Sequence, residues 1–219
     1  MKKLITAIFG FALISFSADA IERKIGFTAA LTDFESSGTE TMKSNSDKTA
    51  TDISETAVVP SLFFEISNDA GLGIGLDFVP GDAELGSKSK TKVDIDTDDA
   101  EDNGGTNKAS AEVSGHQTLY LKIPVSAAFL KLGYVSADID TTENLATGTT
   151  YGNKSVNGTM VALGFDRDMP NGTFLRAEVA YTDYDDITLR GSSDTDGVSN
   201  KVDADVDATS LRLSVGKAF

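Results

Sequence analysis

Several residue types that often build active sites or hold small exported proteins together are scarce in this chain of 219 residues. It has no cysteine and no tryptophan, one histidine and four prolines. Without cysteine there is no disulfide framework, no Cys/His metal set and no lipoprotein anchor. Past residue 16 there is also no apolar run of about 18 residues, so we expect no transmembrane helix. These absences direct attention to β-structure.

The chain is strongly acidic. It carries 34 Asp and Glu against 19 Lys and Arg, a formal net charge of -15. Such a charge repels phosphate backbones, so we expect no nucleic-acid partner. No glycine-rich phosphate loop is present, because the glycines of Gly71-x-Gly-x-Gly75 lie within a strand pattern. We therefore predict no cofactor and no cofactor-binding site.

The first twenty residues have the layout of a secretory signal peptide. Met1-Lys2-Lys3 is basic, an apolar stretch runs over 4–16, and Ala18-Asp19-Ala20 is a small-x-small cleavage site. The apolar stretch is too short to span a bilayer as a helix. The prediction is that residues 1–20 are removed on export and that residues 21–219 form one mature domain.

Eight segments of the mature chain alternate apolar and polar residues with the period of a β-strand. Each is about as long as a tilted membrane strand needs to be. Pro60 interrupts the second segment, since proline cannot donate to a strand ladder. The eight segments cover approximately 24–34, 56–67, 71–80, 116–124, 127–137, 156–166, 173–184 and 210–219.

The connections between these segments alternate in length. Those at 67–70, 124–126 and 167–172 are short, whereas those at 36–55, 81–115, 136–155 and 183–207 are long. Outer-membrane barrels have this layout, with tight periplasmic turns and long extracellular loops. The sequence therefore predicts an all-β fold, an eight-stranded antiparallel up-and-down transmembrane β-barrel with both termini in the periplasm.

The last strand pattern ends the chain on an aromatic residue. Its apolar face consists of Leu211, Leu213, Val215 and Phe219, opposite a polar face that includes Arg212. Lipid on one side and a polar lumen on the other would explain this division. The terminus resembles the assembly signal of Gram-negative outer-membrane barrels, so the β-barrel assembly machinery is an expected partner.

The net charge is concentrated in the four long connections, which hold 24 of the acidic and 9 of the basic residues. Acidic runs occur at 94–102 and 203–207, and because Val93–Asp96 and Val206–Asp207 still alternate, we expect strands to continue past the membrane as solvated hairpins. One interpretation is a solvated acidic surface. The other is weak binding of divalent cations, or of lipopolysaccharide phosphates through such ions. A calcium loop starting at Asp94 fails, because Asp99 and Gly105 stand where glycine and glutamate are needed.

The inward faces carry a balanced set of charges. Two interpretations remain open: a structural polar core of paired charges, or an ion path that opens when the pairs break. The glycine stripe at Gly71, Gly73 and Gly75 is expected to give Lys122 room to cross the interior. The predicted lumen charge network is Glu65, Asp77, Lys122, Lys131, Asp166, Arg176, Glu178 and Arg212.

The single histidine does not suggest catalysis. His116 begins the fourth segment, and a hydrolytic triad needs a base held between an acid and a nucleophile. Small barrel lipases resemble one another in a His-x-Ser triplet, but this chain has His116-Gln-Thr118. We predict no catalytic residues, no metal site and no enzymatic activity.

With these features in place, the chain resembles the small eight-stranded outer-membrane barrel superfamily, of the OmpA barrel domain and OmpX kind. Gly172 to Tyr181 is similar to the penultimate strands of that group. The resemblance implies a non-enzymatic, monomeric protein of the bacterial outer membrane, in contact with lipid and lipopolysaccharide. Envelope integrity, adhesion or ligand contact is the expected role, and a small porin is the alternative.

Overall fold

The computed structural model describes residues 21–41, 48–81, 83–92, 105–144, 150–192 and 201–219. The predicted signal peptide at 1–20 and the acidic run at 94–102 lie outside these ranges. Among the described residues, no helix is long and apolar enough to cross a membrane.

Within these described ranges, ten β-strands form one antiparallel sheet. They are β1 Glu22–Thr41, β2 Lys48–Ser67, β3 Gly73–Phe78, β4 Ala83–Lys92, β5 Gly105–Val125, β6 Ala128–Asn144, β7 Lys154–Asp168, β8 Thr173–Tyr184, β9 Ile187–Arg190 and β10 Lys201–Ala218.

Eight of the strands close into a barrel. The neighbours run β1, β2, β3, β5, β6, β7, β8 and β10, and β10 pairs with β1 to complete the circle. The closing register joins Lys24 to Ala218 and continues to Thr41 opposite Lys201. The predicted fold class is therefore confirmed: the chain is an all-β, closed, eight-stranded antiparallel barrel.

Several strands run farther than their apolar patterns. β1 and β2 remain paired as far as Thr41 and Lys48, and β5 begins at Gly105. Much of the connections predicted at 36–55, 81–115 and 183–207 is therefore strand. β4 and β9 are separate short strands that pair with β5 and β10 and continue the wall beyond β3 and β8. The alternating pattern does not delimit them, because β4 is largely polar and β9 has only four residues.

Three short turns join strands at the end of the barrel that carries both chain termini. The first places Gly71 at a φ of 80°, and Gly71 donates its N–H to the Asn68 carbonyl at 2.8 Å. The second is a two-residue hairpin at Ser126 and Ala127, with Ser126 at a φ of 58°. We call this end the turn end and the opposite end the loop end.

Pro60 lies inside β2, where it is paired with Ala29 of β1. The β2–β3 pairing begins only at Leu62 opposite Phe78. Within the described pairings, Pro60 therefore has a strand on one side only. This edge-like position explains how the strand tolerates a residue that lacks an N–H.

An apolar belt surrounds the barrel on the outside. Large side chains that alternate with buried inward residues remain between 42 and 60% exposed. A soluble protein rarely leaves so continuous an apolar surface uncovered, whereas lipid covers it naturally. The belt includes Ile25, Phe27, Leu31, Leu62, Phe64, Leu76, Phe78, Leu119, Val161, Leu163, Phe165, Leu175, Val179, Tyr181, Leu211, Leu213 and Val215.

Candidate functional site: the charged interior of the barrel

The centre of the interior is an ion pair between Arg176 of β8 and Glu65 of β2. The guanidinium donates to both carboxylate oxygens, at 2.9 and 3.0 Å. It also donates to both oxygens of Asp166 on β7, at 2.6 and 2.9 Å. Both partners of the central pair have side chains with 0% exposure. Charges buried this deeply are tolerated only when they are paired and hydrogen-bonded.

Two residues of β5 complete the coordination of Glu65. Lys122 lies 2.6 Å from Glu65 Oε1 and 3.2 Å from Asp166 Oδ2. The Tyr120 hydroxyl donates to Glu65 Oε2 at 3.0 Å. Strands from opposite sides of the barrel therefore meet at one carboxylate, which blocks the middle of the lumen.

A second group of ion pairs lies alongside the first. Lys131 of β6 is 2.6 Å from Glu178 of β8. Arg212 of β10 is 3.9 Å from Glu178 and 2.5 Å from Asp77 of β3. All eight residues of the charge set singled out in the sequence thus have partners within that same set. Alternation alone placed them inward, but it could not say which of them touch.

Lys24 was missing from that set. Its ammonium lies 2.9 Å from Asp168 and 3.5 Å from Asp166, so it connects the central group to the turn end. The signal was present in the sequence, because Lys24 precedes the inward residues Gly26 and Thr28 by the same two-residue step. Lys24 is the first residue of the predicted segment 24–34, where a single position is too little to establish the alternation.

Aromatic rings fill the space between the charges. The Arg176 guanidinium carbon lies 4.9 Å from the centre of the Phe63 ring and 5.1 Å from that of Phe129. The Lys131 ammonium lies 4.3 Å from the Tyr120 ring centre. A cation above the face of an aromatic ring is attracted by the ring quadrupole. The rings also occupy space that water would otherwise fill. The combination leaves the interior plugged by side chains.

The glycine stripe serves Tyr120 more directly than Lys122. Gly75 stands opposite Tyr120, and a side chain added at Gly75 would overlap the tyrosine ring and hydroxyl. Gly73 is the partner of Lys122 in the register. Gly71 belongs to the turn rather than to β3. A side chain added at Gly73 would meet Ile66, Ser67 and Glu65 rather than Lys122, so the room at this stripe is occupied by Tyr120 at Gly75.

His116 closes the loop end of this interior. Its Nε2 lies 3.1 Å from the Tyr184 hydroxyl, and the two rings meet edge to face with centres 6.4 Å apart. Ser114, two residues earlier, donates instead to Asp140 at 2.9 Å. The register shifts at a β-bulge between Ser114 and Gln117, so Ser114 contacts Asp140 whereas His116 contacts Tyr184. The serine, histidine and acid therefore do not converge as a triad would.

Some polar atoms near this end have no hydrogen-bond partner among the described residues. They are Ser61 Oγ, His116 Nδ1, Arg212 Nε and both carboxylate oxygens of Glu178, all buried, although the Glu178 oxygens keep their ion pairs with Lys131 and Arg212. The Arg212 nitrogen retains only its 3.9 Å ion-pair contact with Glu178. Buried polar atoms of this kind are commonly satisfied by internal water. The loop-end half of the lumen therefore has more buried polar atoms without a hydrogen-bond partner than the centre has.

The acidic residues of β10 lie on the wall beyond the belt, where their pKa values diverge. The Lys201 ammonium, 2.6 Å from Asp203, and the Thr188 hydroxyl, 2.8 Å away, hold the pKa of Asp203 below its usual range. A hydrogen bond and charge repulsion from Asp186 raise the pKa of Asp205. In the register, Asp207 stands between Glu35 of β1 and Asp183 of β8, so like charges are direct neighbours.

Three residues of the proposed assembly signal point outward on β10, and the fourth, Phe219, directly follows that strand. Leu211, Leu213 and Val215 belong to the belt, and Phe219 is 72% exposed. The Phe219 main chain exchanges two hydrogen bonds with Arg23, at 2.8 and 3.2 Å. The last residue thus fastens the closing seam of the barrel at the turn end.

Comparison with solved structures identifies the fold. OprG of Pseudomonas aeruginosa superposes with a TM-score of 0.57 at 20% identity, covering 91% of this chain and 95% of OprG. AlkL gives 0.54 at 12% identity, covering 94% and 93% of the two chains. The outer-membrane protease OmpT of Escherichia coli gives 0.51 at 9% identity, covering 94% and 98%.

The likeness is one of fold and not of sequence. No protein-family model matches the chain, and no curated protein matches it. These three structures are outer-membrane proteins, and this chain covers nearly their whole length. Together with the closed sheet and the apolar belt, they confirm the resemblance at the level of architecture: the chain has the fold of the small eight-stranded outer-membrane β-barrels.

Proposed function

We propose that this protein is a non-enzymatic outer-membrane barrel with a structural and surface-interaction role. The observation that carries the proposal is the plug formed by Arg176, Glu65 and their partners, which fills the middle of the lumen. An eight-stranded barrel leaves an interior just wide enough for side chains. A barrel filled in this way acts through its outer wall and its loop end, in envelope integrity, adhesion or ligand contact.

The proposed location follows from the belt and from the fold. Residues 1–20 act as a cleaved export signal, and residues 21–219 are inserted as a monomer by the β-barrel assembly machinery, which reads the last strand. The turn end faces the periplasm and the acidic loop end faces the medium. Lipid and lipopolysaccharide surround the belt, and divalent cations gather at the acidic residues beyond it.

Shortening the long connections tests this role in cells. One variant replaces residues 42–47, 93–104, 145–149 and 193–200 with tight turns and keeps the barrel. A matched variant, Gly73→Phe, fills the lumen and keeps the connections. In a strain lacking the protein, the shortened variant should fail to restore detergent resistance or surface attachment, while Gly73→Phe should restore it. The reverse result would contradict a surface role.

A small porin is the second candidate. The unpartnered Ser61, His116 and Arg212 atoms favour it, because water bound to them would extend from the loop end toward the central plug. A path would then open where Lys131, Glu178, Arg212 and Asp77 exchange partners. The two candidates differ in one measurable property, steady conductance.

A further inference from the structure

A polar cleft lies on the outer wall of the barrel, apart from the charged interior. It encloses about 210 Å³ and is lined by Ser114 of β5, Asp138 and Asp140 of β6, and Asn153, Lys154 and Ser155 at the start of β7. Asp138 and Asp140 lie on the outward face, because the intervening Ile139 is buried inside.

The carboxylates of this cleft are held in fixed orientations. Ser155 donates to Asp138 Oδ1 at 2.6 Å, and Ser114 donates to Asp140 Oδ2 at 2.9 Å. One oxygen of each carboxylate is thereby used, and no hydrogen bond to the other is present among the described residues. Two ordered acceptors consequently face the cleft from one strand.

The backbone beside Asp138 is shaped to leave its second oxygen open. Gly115 lies in the β-bulge of β5 with a φ of 58°. A side chain there would be strained, and its first carbon would lie 3.4 Å from Asp138 Oδ2. The glycine therefore keeps the approach to this oxygen free.

The donor and acceptor chemistry limits the ligand. Asn153 uses its carbonyl to accept the Thr141 N–H at 3.3 Å, so its NH₂ group remains to donate. Lys154 directs its ammonium to the Thr188 carbonyl at 2.9 Å and brings no free cation to the cleft. Anionic ligands are therefore disfavoured. No group of three acidic or histidine ligands suited to a metal occurs in the described part of the chain.

Hydroxyl groups satisfy these requirements, because each can donate to a carboxylate and accept from an amide. The volume is below the usual range of about 300–1,000 Å³ for drug-sized ligands, which suits a single sugar ring. Asp138 follows the outward Tyr134 by four residues, about 13 Å along the strand and about 10 Å with tilt. Polar headgroups occupy roughly the first 5–8 Å outside the hydrocarbon, so the cleft lies at their outer edge, where the sugar of a glycolipid would project.

From this geometry we infer that the cleft binds an uncharged saccharide ring, with Asp138 and Asp140 accepting its hydroxyls and Asn153 donating to it. A sideways-facing cleft just beyond the belt can take the ring from a glycolipid of the surrounding leaflet or from a free sugar. Only the glycolipid source depends on the proposed outer-membrane location. Neither source depends on whether the lumen conducts.

Titrations followed by the backbone amide NMR signals of Gly115, Asp138 and Asn153 test the inference. In one arm, methyl glycosides of glucose, galactose and N-acetylglucosamine are added to the barrel in detergent micelles. In the other, the barrel is placed in phospholipid nanodiscs with and without an uncharged glycosyl diacylglycerol. At least one glycoside or the glycolipid should shift these signals saturably, and the arm with the greater apparent affinity identifies the source.

The double variant Asp138→Asn/Asp140→Asn should weaken this binding about tenfold, because charged acceptors make hydrogen bonds roughly twice as strong as neutral ones. Asp33→Asn/Glu35→Gln is the matched control, since it removes two outward carboxylates from β1, where Asp33 is bonded by Ser54 and Thr56 and neither residue lines the cleft. Heat-modifiable electrophoretic mobility verifies that both variants fold. The inference is overturned if neither arm shifts the signals, if the control weakens binding equally, or if calcium chloride alone causes the shifts and the glycosides do not.

Discussion

Arg176 and Glu65 face each other across the middle of the barrel and share two hydrogen bonds, at 2.9 and 3.0 Å, between strands that are not neighbours. Each also has further partners, so the pair is the junction of a network rather than an isolated bridge. The cost of burying these charges is high, and the network offsets it only while every member is present.

Removing one charged residue of this network should therefore lower the free energy of unfolding substantially. Glu65→Gln leaves Arg176 and Lys122 with less than their full counter-charge, and we expect a loss of about 3–5 kcal/mol in the free energy of unfolding. Reversible urea unfolding in lipid vesicles measures it. The double variant Glu65→Gln/Arg176→Met should lose less than the sum of the two single changes. Strict additivity would show that the two side chains do not act together.

The outer belt gives a second, independent expectation. Leu163→Arg and Leu213→Arg should each cost about 2–4 kcal/mol if they lie near the bilayer midplane, and Leu132 and Val179 should behave in the same way. The same change at inward Ala180 should depend on packing and on the ion pairs nearby. The free energy of unfolding, measured in vesicles of two bilayer thicknesses, distinguishes the outward from the inward substitutions. Only the cost of an outward arginine should depend on its depth in the hydrocarbon. An equal response of both sets would refute the division into faces.

Asp203 and Asp205 should titrate apart although they share one face of β10. The lowered pKa of Asp203 means that its ionised form stabilises the fold, and this contribution is lost as pH falls through that lowered pKa. The raised pKa of Asp205 means the opposite, so protonation relieves repulsion as pH falls through the raised value. Carboxyl carbon NMR shifts report both midpoints.

Asp186→Asn provides the control for this pair. It should return the Asp205 midpoint toward the ordinary range, because the raised pKa comes mainly from Asp186. The Asp203 midpoint should stay low, since Lys201 and Thr188 are unchanged. A shared shift of both residues would mean that the general acidity of the wall sets their titration.

Deleting Phe219 tests the closing strand. The residue is exposed and supplies two main-chain hydrogen bonds to Arg23. Its ring would lie at the periplasmic interface, where aromatic girdles form. We expect unassembled protein without the heat-modifiable mobility of a folded barrel. Phe219→Tyr should retain assembly, and a normal outer-membrane yield of the deletion would contradict the role of this residue.

The period-two alternation of apolar and polar residues predicted most of the fold. It placed Leu163 and Leu213 outward and Glu65 and Arg176 inward, because side chains on a strand must alternate. It indicated that strands continue beyond the lipid but could not fix the end of β1 at Thr41 or the bounds of β4, since both faces meet water there and the pattern fades. The interior was predictable as a set of residues but not as contacts. Pairing across the lumen depends on barrel closure, which brings β2 opposite β8 although 111 positions separate Glu65 from Arg176.

The most direct test of the closed interior is the conductance of the purified protein in a planar lipid bilayer. Because Arg176, Glu65, Tyr120 and Lys122 fill the centre, we predict no steady conductance above that of the bare membrane, with or without applied voltage. Glu65→Gln should at most produce brief, irregular openings. Stable, well-resolved single channels in the unmodified protein, abolished by Gly73→Phe in a barrel that still folds, would contradict the plugged interior and establish the porin.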